Sequence, residues 1–198
     1  MTAQISNHQE VVFLDRYSKK DKKGNPVEKT VEEMWDRVAC AISTNKDEND
    51  KFRALLDDFK FVPGGRILTG AGVGTEQTFY NCYVIPVEPK SSTLVANPMV
   101  GNDSREAIMD TVGTMVDILS RGGGVGINWS VLRPEGTYLS RISGHSSGPV
   151  GWMDFASHAV GEVIQGGSRR GAAMFMIDDW HPDVLKFIEA KANDETKI

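Results

Sequence analysis

The chain has 198 residues, 22 Lys and Arg against 27 Asp and Glu, a net charge of −5, and 40% hydrophobic and 25% charged residues. This ordinary globular composition excludes a disordered tail, a collagen-like chain and a coiled-coil rod, and the length suits one domain with a small appendage around one good core. The acidic balance argues against a general nucleic-acid binder, which would carry a basic stripe.

The polar opening MTAQISNHQE has no apolar signal core. No apolar run approaches the roughly 18 residues a membrane span requires, so no membrane contact and a cytoplasmic location are expected. Residues 1–28 read as a polar arm with solvated charges. Its lysines Lys19, Lys20, Lys22 and Lys23 run into a turn at Gly24-Asn25-Pro26. Thr30 and Glu33 form a capping box. Val31, Met34, Trp35, Val38 and Ile42 follow at helical spacing to about Thr44, with Cys40 roughly opposite that stripe. A second helix carries Phe52, Leu55, Leu56 and Phe59 and stops before Pro63. Residues 1–62 are thus an arm and a helical segment.

The Gly-rich stretch PGGRILTGAGVG, 63–74, reads as a loop or irregular extended segment. The run from Thr78 to Pro86, rich in aromatic and β-branched residues, reads as a buried strand. Asp103, with Glu106, opens a helix whose inward face is Ile108, Thr111, Val112, Met115, Ile118 and Leu119. Gly122-Gly123-Gly124 ends that helix, and Val125–Asn128 is a short strand. A polar loop covers 129–149. Another helix covers about 150–164, with Met153, Ala156, Val160, Val163 and Ile164 inward. A glycine loop covers 165–171, and an apolar strand Ala172–Ile177. Pro182 opens a last helix with Val184, Leu185 and Ile188 inward. From residue 78 the order is β-α-β-α-β-α, the pattern of a parallel sheet with crossover helices. Such a sheet wants both faces covered, so the chain reads as an incomplete unit, a fragment or one piece of a split protein.

Two cysteines, Cys40 and Cys82, are too few for a secreted disulfide scaffold. Cys82 is either a small buried hydrophobe or a redox thiol facing a cleft. Gly122–Gly126 sits between a helix and a strand, the wrong order for a dinucleotide fingerprint, and points to close backbone approach. Arg169 and Arg170, inside the glycine loop Gln165, Gly166, Gly167 and Ser168, suit phosphate or base recognition. In the bland alternative Asp103 serves only as a helix cap. His145, His158 and His181 show no metal-ligand spacing, and no metal site is expected; His181 before Pro182 looks like a helix start.

Taken in order, FVPGGRILTGAG, TFYNCYVIP, DSREAIMDTVGTMVDILSRGGGVGIN and QGGSRRGAAMFMIDDWHPDVLKFIEAK resemble the large catalytic subunit of ribonucleotide reductase. The likeness runs from about residue 11 to the end. The opening VFLDRYSKKDKKGNP…TVEEMWDRVA is most similar to the class II, adenosylcobalamin-dependent branch, and the short start leaves no room for an ATP-cone. The resemblance implies an α/β fold: an N-terminal helical segment, then, over 63–198, the first part of a ten-stranded α/β barrel, here an incomplete half-barrel. It implies thiyl-radical reduction of ribonucleoside diphosphates or triphosphates, with the radical cysteine, its flanking Asn and Glu and a second redox cysteine in the missing C-terminal half.

Residue by residue, Cys82 matches the cysteine that reduces the ribose 2′ position and pairs with the missing one. Asn81 matches a small polar residue touching the ribose, and Gly124 a glycine whose backbone approaches the substrate. Gly64 and Gly65 sit where some members place a Thr near the substrate phosphates. Asp103 and Arg133 match residues that hold a deoxynucleoside triphosphate effector. Residues 165–171 match the second specificity loop, with Arg169 reaching the substrate base. The implied cofactor is adenosylcobalamin, bound largely outside this chain. The implied partners are the missing half, a thioredoxin-like reductant and a second copy in a homodimer. The alternatives are a class I large-subunit fragment and a non-catalytic nucleotide-binding piece.

Overall fold

The computed structural model describes residues 5–88, 102–163 and 171–192. They divide into two compact units, Met1–Phe79 and Tyr80–Ile198. Residues 63–79, placed by sequence with the second part, pack with the first.

The first unit is helical. Ser6 and Gln9 form a capping box that starts α1 (Asn7–Val12), which runs into a π-helical turn, Phe13–Tyr17. The expected solvated arm is therefore folded: Phe13, Ser18 and Glu28 are buried. Its turn is confirmed, with Gly24 at φ +85° and the Asp21 carboxylate accepting from the backbone of Lys23 and Asn25 at 2.8 and 2.9 Å. These bonds, chiefly the one from Asn25, hold the Asp21 carboxyl below its ordinary value.

The Thr30–Glu33 capping box opens α2 (Val31–Ile42), which buries Val31, Met34, Trp35, Val38 and Ala39. Ile42, counted on that stripe, is exposed at the helix end, and Cys40 is exposed as expected. Helix α3 (Lys46–Leu56) is capped by Asn45 and buries Leu56, while Leu55 faces outward. A 3₁₀ turn, Asp57–Phe59, follows, and the Phe59 ring meets Trp35 edge-on at 5.0 Å.

The Gly-rich segment expected to be a loop contains a short helix, α4 (Gly65–Gly70), that buries Leu68. Arg37 explains it. The guanidinium donates to the carbonyls of Leu68, at 3.0 Å, and Ala71, which a helix end leaves unpaired. The same guanidinium pairs with Glu28, Nε to Oε1 at 2.5 Å and Nη2 to Oε2 at 3.1 Å. Glu28 also accepts from the Lys19 N–H at 2.9 Å. One ion pair thus joins the 19–28 loop, α2 and α4.

The second unit is a three-stranded parallel sheet in the order β1 (Cys82–Ile85), β2 (Gly124–Asn128), β5 (Ala173–Met176). Cys82 pairs with Gly124 and Ile85 with Ile127; Val125 pairs with Ala173 and Asn128 with Met176. Crossover helices α5 (Arg105–Ser120) and α6 (Gly148–Glu162) follow β1 and β2. Ile85, Val125, Ile127, Ala173 and Phe175 point into one core with Met115, Leu119, Met153 and Ala156 of these helices. The inward faces predicted for both helices match at their described positions; Ile164 lies outside the described residues. The sheet is open, and no closed barrel exists among the described residues.

Three details depart from expectation. The 129–149 loop buries Trp129 and Leu132 and carries a small hairpin, β3 (Tyr138–Leu139) with β4 (Gly144–His145). Helix α5 is capped by Ser104, whose hydroxyl accepts from the Ala107 N–H at 3.1 Å, and not by Asp103. The last helix, α7 (Val184–Glu189), starts after Pro182 and leaves Leu185 and Ile188 exposed, and Phe187 is the residue that packs inward. The helix thus starts two residues after Pro182, and the Asp183 carboxylate accepts from the Glu135 N–H at 2.9 Å.

Breaking a buried pair strands the remaining charge. Glu28→Ala is expected to lower stability by about 3 kcal/mol. Lys46→Ala, which removes an exposed pair with Asp50, is expected to change it by about 0.5 kcal/mol or less. Urea unfolding followed by circular dichroism checks both.

Candidate functional site

Strand alternation gives the sheet a second face. Cys82, Val84, Gly124, Gly126, Asn128 and Met174 lie on it, and α5 and α6 do not cover it: Val84 is 81% and Met174 59% exposed. Cys82 is the first residue of β1 and an exposed free thiol, which excludes the buried-hydrophobe alternative for it in this chain.

The neighbouring strand is shaped around that thiol. Gly122 at φ +89° turns the chain out of α5. A Cβ on Gly123 would lie 2.8 Å from Ile118 and 2.9 Å from the Tyr83 ring. A Cβ on Gly124 would lie 3.3 Å from Cys82 Sγ. Each glycine of the run thus answers to a turn or a close approach, and the last leaves the space beside the sulfur free. Asn81 contributes its backbone carbonyl, which accepts from the Gly124 N–H at 2.7 Å. Its side chain is exposed.

A second cluster forms where α5 begins. The Asp103 carboxylate accepts from Arg133 Nε, and Arg133 Nη2 donates to the Asp103 carbonyl at 3.1 Å. The Asp103 side chain is 16% and the Arg133 side chain 37% exposed. The pair brings together two residues thirty positions apart. A carboxylate that can accept from sugar hydroxyls stands beside a guanidinium that can bind phosphate. Gly64 and Gly65 lie in the first unit at the start of α4, with nothing within 4 Å of a Cβ on Gly64. Residues 165–170, with Arg169 and Arg170, lie outside the described residues.

Sequence reasoning missed a polar link at the carboxyl ends of β2 and β5. Asn128 donates to Asp178 at 3.0 Å and accepts from Ser130 Oγ at 2.6 Å, and the Asp178 N–H donates to Ser130 Oγ at 2.6 Å. It also missed the burial of His181. Both links join residues about fifty positions apart and leave no local signal.

The open face offers a thiol at Cys82, glycine backbone at Gly124 and Gly126 and the amide of Asn128 beside the exposed Val84 and Met174. No cobalamin-binding site is found among the described residues. Among the described residues no group of three or more His, Cys, Asp or Glu is arranged to hold a metal ion, and no helix is long and apolar enough to cross a membrane.

A methyl at position 124 is expected to crowd the thiol. Gly124→Ala should slow alkylation of Cys82 by iodoacetamide severalfold in the native chain, with Cys40 as the internal control at an unchanged rate. Mass spectrometry of the two cysteine peptides reads both rates.

Two family models match the chain: "Ribonucleotide reductase, all-alpha domain" over residues 5–76 and "Ribonucleotide reductase, barrel domain" over residues 82–198. The vitamin B12-dependent ribonucleoside-diphosphate reductase of Mycobacterium tuberculosis (strain CDC 1551 / Oshkosh) is 32% identical over 196 residues, 94% of this chain and 26% of that protein. The enzyme of the same description from Thermoplasma acidophilum is 31% identical, covering 87% of this chain and 20% of that protein. The ribonucleoside-diphosphate reductase subunit alpha of Helicobacter pylori (strain ATCC 700392 / 26695) is 28% identical, over 91% and 21%. The chain therefore spans about a quarter of the length of the first of these relatives. The two matched segments meet where the two compact units divide, and the second alone covers more than half of the residues, so the chain belongs to the ribonucleotide reductase large-subunit family.

Proposed function

We propose that this chain supplies the helical domain and the opening strands of the barrel to a reductase that converts ribonucleoside diphosphates to deoxyribonucleotides. The observation that carries the proposal is the exposed Cys82 thiol, placed beside the side-chain-free Gly124 on the uncovered sheet face. Vitamin B12-dependent relatives support adenosylcobalamin as the source of the radical, bound outside the described residues.

The role of this chain is reductive. Replacing the 2′-hydroxyl by hydrogen, with the oxygen leaving as water, requires two electrons and two protons. Two thiols supply them and become one disulfide, so atoms and electrons balance. A thiol suits this because it ionises near neutral pH and oxidises reversibly. Cys82 is one partner; the other belongs to the rest of the enzyme, and a thioredoxin-like dithiol restores the pair. Asn81 and the Gly124 backbone border the ribose. The loop of Gln165, Gly166, Gly167, Ser168, Arg169 and Arg170 contacts the base through Arg169. Asp103 and Arg133 hold a deoxynucleoside triphosphate that selects the substrate, in an enzyme that forms homodimers.

The isolated chain is expected to reduce no ribonucleotide, since the radical cysteine is not in it. In the full-length enzyme, Cys82→Ser should cost about 1 kcal/mol or less of stability. It should also abolish repeated turnover with a dithiol reductant, because Ser forms no disulfide. Normal multiple turnover of that variant would sink the assignment. Turnover that ignores adenosylcobalamin and needs a metal-containing partner subunit would identify the class I enzyme instead.

The effector site has its own test, now that Ser104 is known to be the cap. Asp103→Asn and Arg133→Ala are each expected to weaken effector binding about tenfold, about 1.4 kcal/mol. Ser104→Ala should cost about 1 kcal/mol of stability and leave effector binding intact. Calorimetric titration distinguishes them. Parent-like binding in both site variants would leave Asp103 and Arg133 as a structural ion pair.

A further inference from the structure

The chain leaving β5 ends in a buried knot that the chemistry above does not use. His181 is 2% exposed and lies between two backbone groups. Its Nδ1 accepts from the Asp183 N–H at 3.0 Å, and its Nε2–H donates to the Leu132 carbonyl at 2.9 Å. These two partners require the neutral ring with its proton on Nε2. Two residues on, the Asp183 carboxylate accepts from the Glu135 N–H at 2.9 Å, and Lys186 pairs with the Glu135 carboxylate. Gly148, at φ +69°, closes the knot: a Cβ there would lie 2.6 Å from Asp183 Oδ2 and 2.8 Å from the Glu135 nitrogen. Leu132 and Glu135 form one foot of the 132–148 segment and Gly148 the other, with the β3–β4 hairpin at its tip. Arg133 stands inside the first foot. Its backbone is held on one side by His181 through Leu132 and on the other by Asp183 through Glu135.

We propose that His181 is a positioning residue for Arg133. Acting through the Leu132 carbonyl, it sets the guanidinium against Asp103 and ties the effector-binding segment to the exit of β5. This rests on the reading of Asp103 and Arg133 as the effector site. The bond pattern on His181 satisfies both ring nitrogens with backbone groups from two different segments. A side chain needed only to fill the core would do as well with no polar atoms.

The test uses the full-length reductase that carries this segment, with deoxyadenosine, deoxyguanosine and thymidine triphosphates each titrated separately. His181→Phe keeps a buried ring and removes both hydrogen bonds. It is expected to weaken effector binding fivefold or more while effector-free turnover stays within twofold of the parent. His181→Gln, with one donor and one acceptor, should recover part of the affinity. Parent-like affinity in folded His181→Phe, beside a loss in Arg133→Ala, overturns the positioning role and leaves the effector site standing. Parent-like affinity in both variants overturns the effector reading itself. Should His181→Phe not fold, hydrogen exchange on the parent decides. Saturating effector is expected to slow exchange of the Glu135 and Asp183 amides severalfold, and unchanged exchange at both overturns the proposal.

Discussion

A parallel sheet is stable when both faces are covered, and among the described residues of the second unit only one is. Helices α5 and α6 seal the side carrying Val125, Ile127 and Phe175. The other side presents Cys82, Val84 and Met174, which no helix covers among the described residues. That asymmetry organises the unit. The covered face supplies the hydrophobic stabilisation, so the open face is free to be lined by residues chosen for chemistry. Glycine at 124 and 126 contributes nothing to packing there. At 124 its value is the room it leaves beside the Cys82 thiol.

The same sheet explains why the loops matter. Strand ends are the one place where residues from distant parts of the chain meet without disturbing a core, and ligands of open α/β sheets gather at such edges. Asn128, Ser130 and Asp178 bind the carboxyl ends of β2 and β5 into one polar rim. His181 and Asp183 extend that rim to the feet of the 132–148 segment. Segments that would otherwise be mobile loops are held by hydrogen bonds to groups whose own partners are fixed.

The first unit solves a different problem. Its helices are short, and α4, with six residues, could not persist alone. Arg37 stabilises it by satisfying carbonyls that the helix end leaves open, and Glu28 neutralises the guanidinium in a nearly buried position. The hydrogen bonds that accompany the pair are what make such burial tolerable.

Local patterns in the sequence determined much of this. The capping box at Thr30, the inward faces of α2, α5 and α6, the strand order β-α-β-α-β-α and the unusual demand on glycines 122–124 are all set by neighbours a few residues apart, through helical period, strand alternation and backbone sterics. The family was legible because its blocks keep their order and spacing. Tertiary structure alone decided the rest. The polar arm folds because Glu28 meets Arg37, the glycine-rich segment becomes helical because Arg37 reaches its carbonyls, and Asp103 is released from capping because Ser104 takes that role and Arg133 arrives from thirty residues away. Each of these outcomes turns on a polar group finding a partner distant in sequence, and such a pairing leaves no periodicity for a local reading to detect.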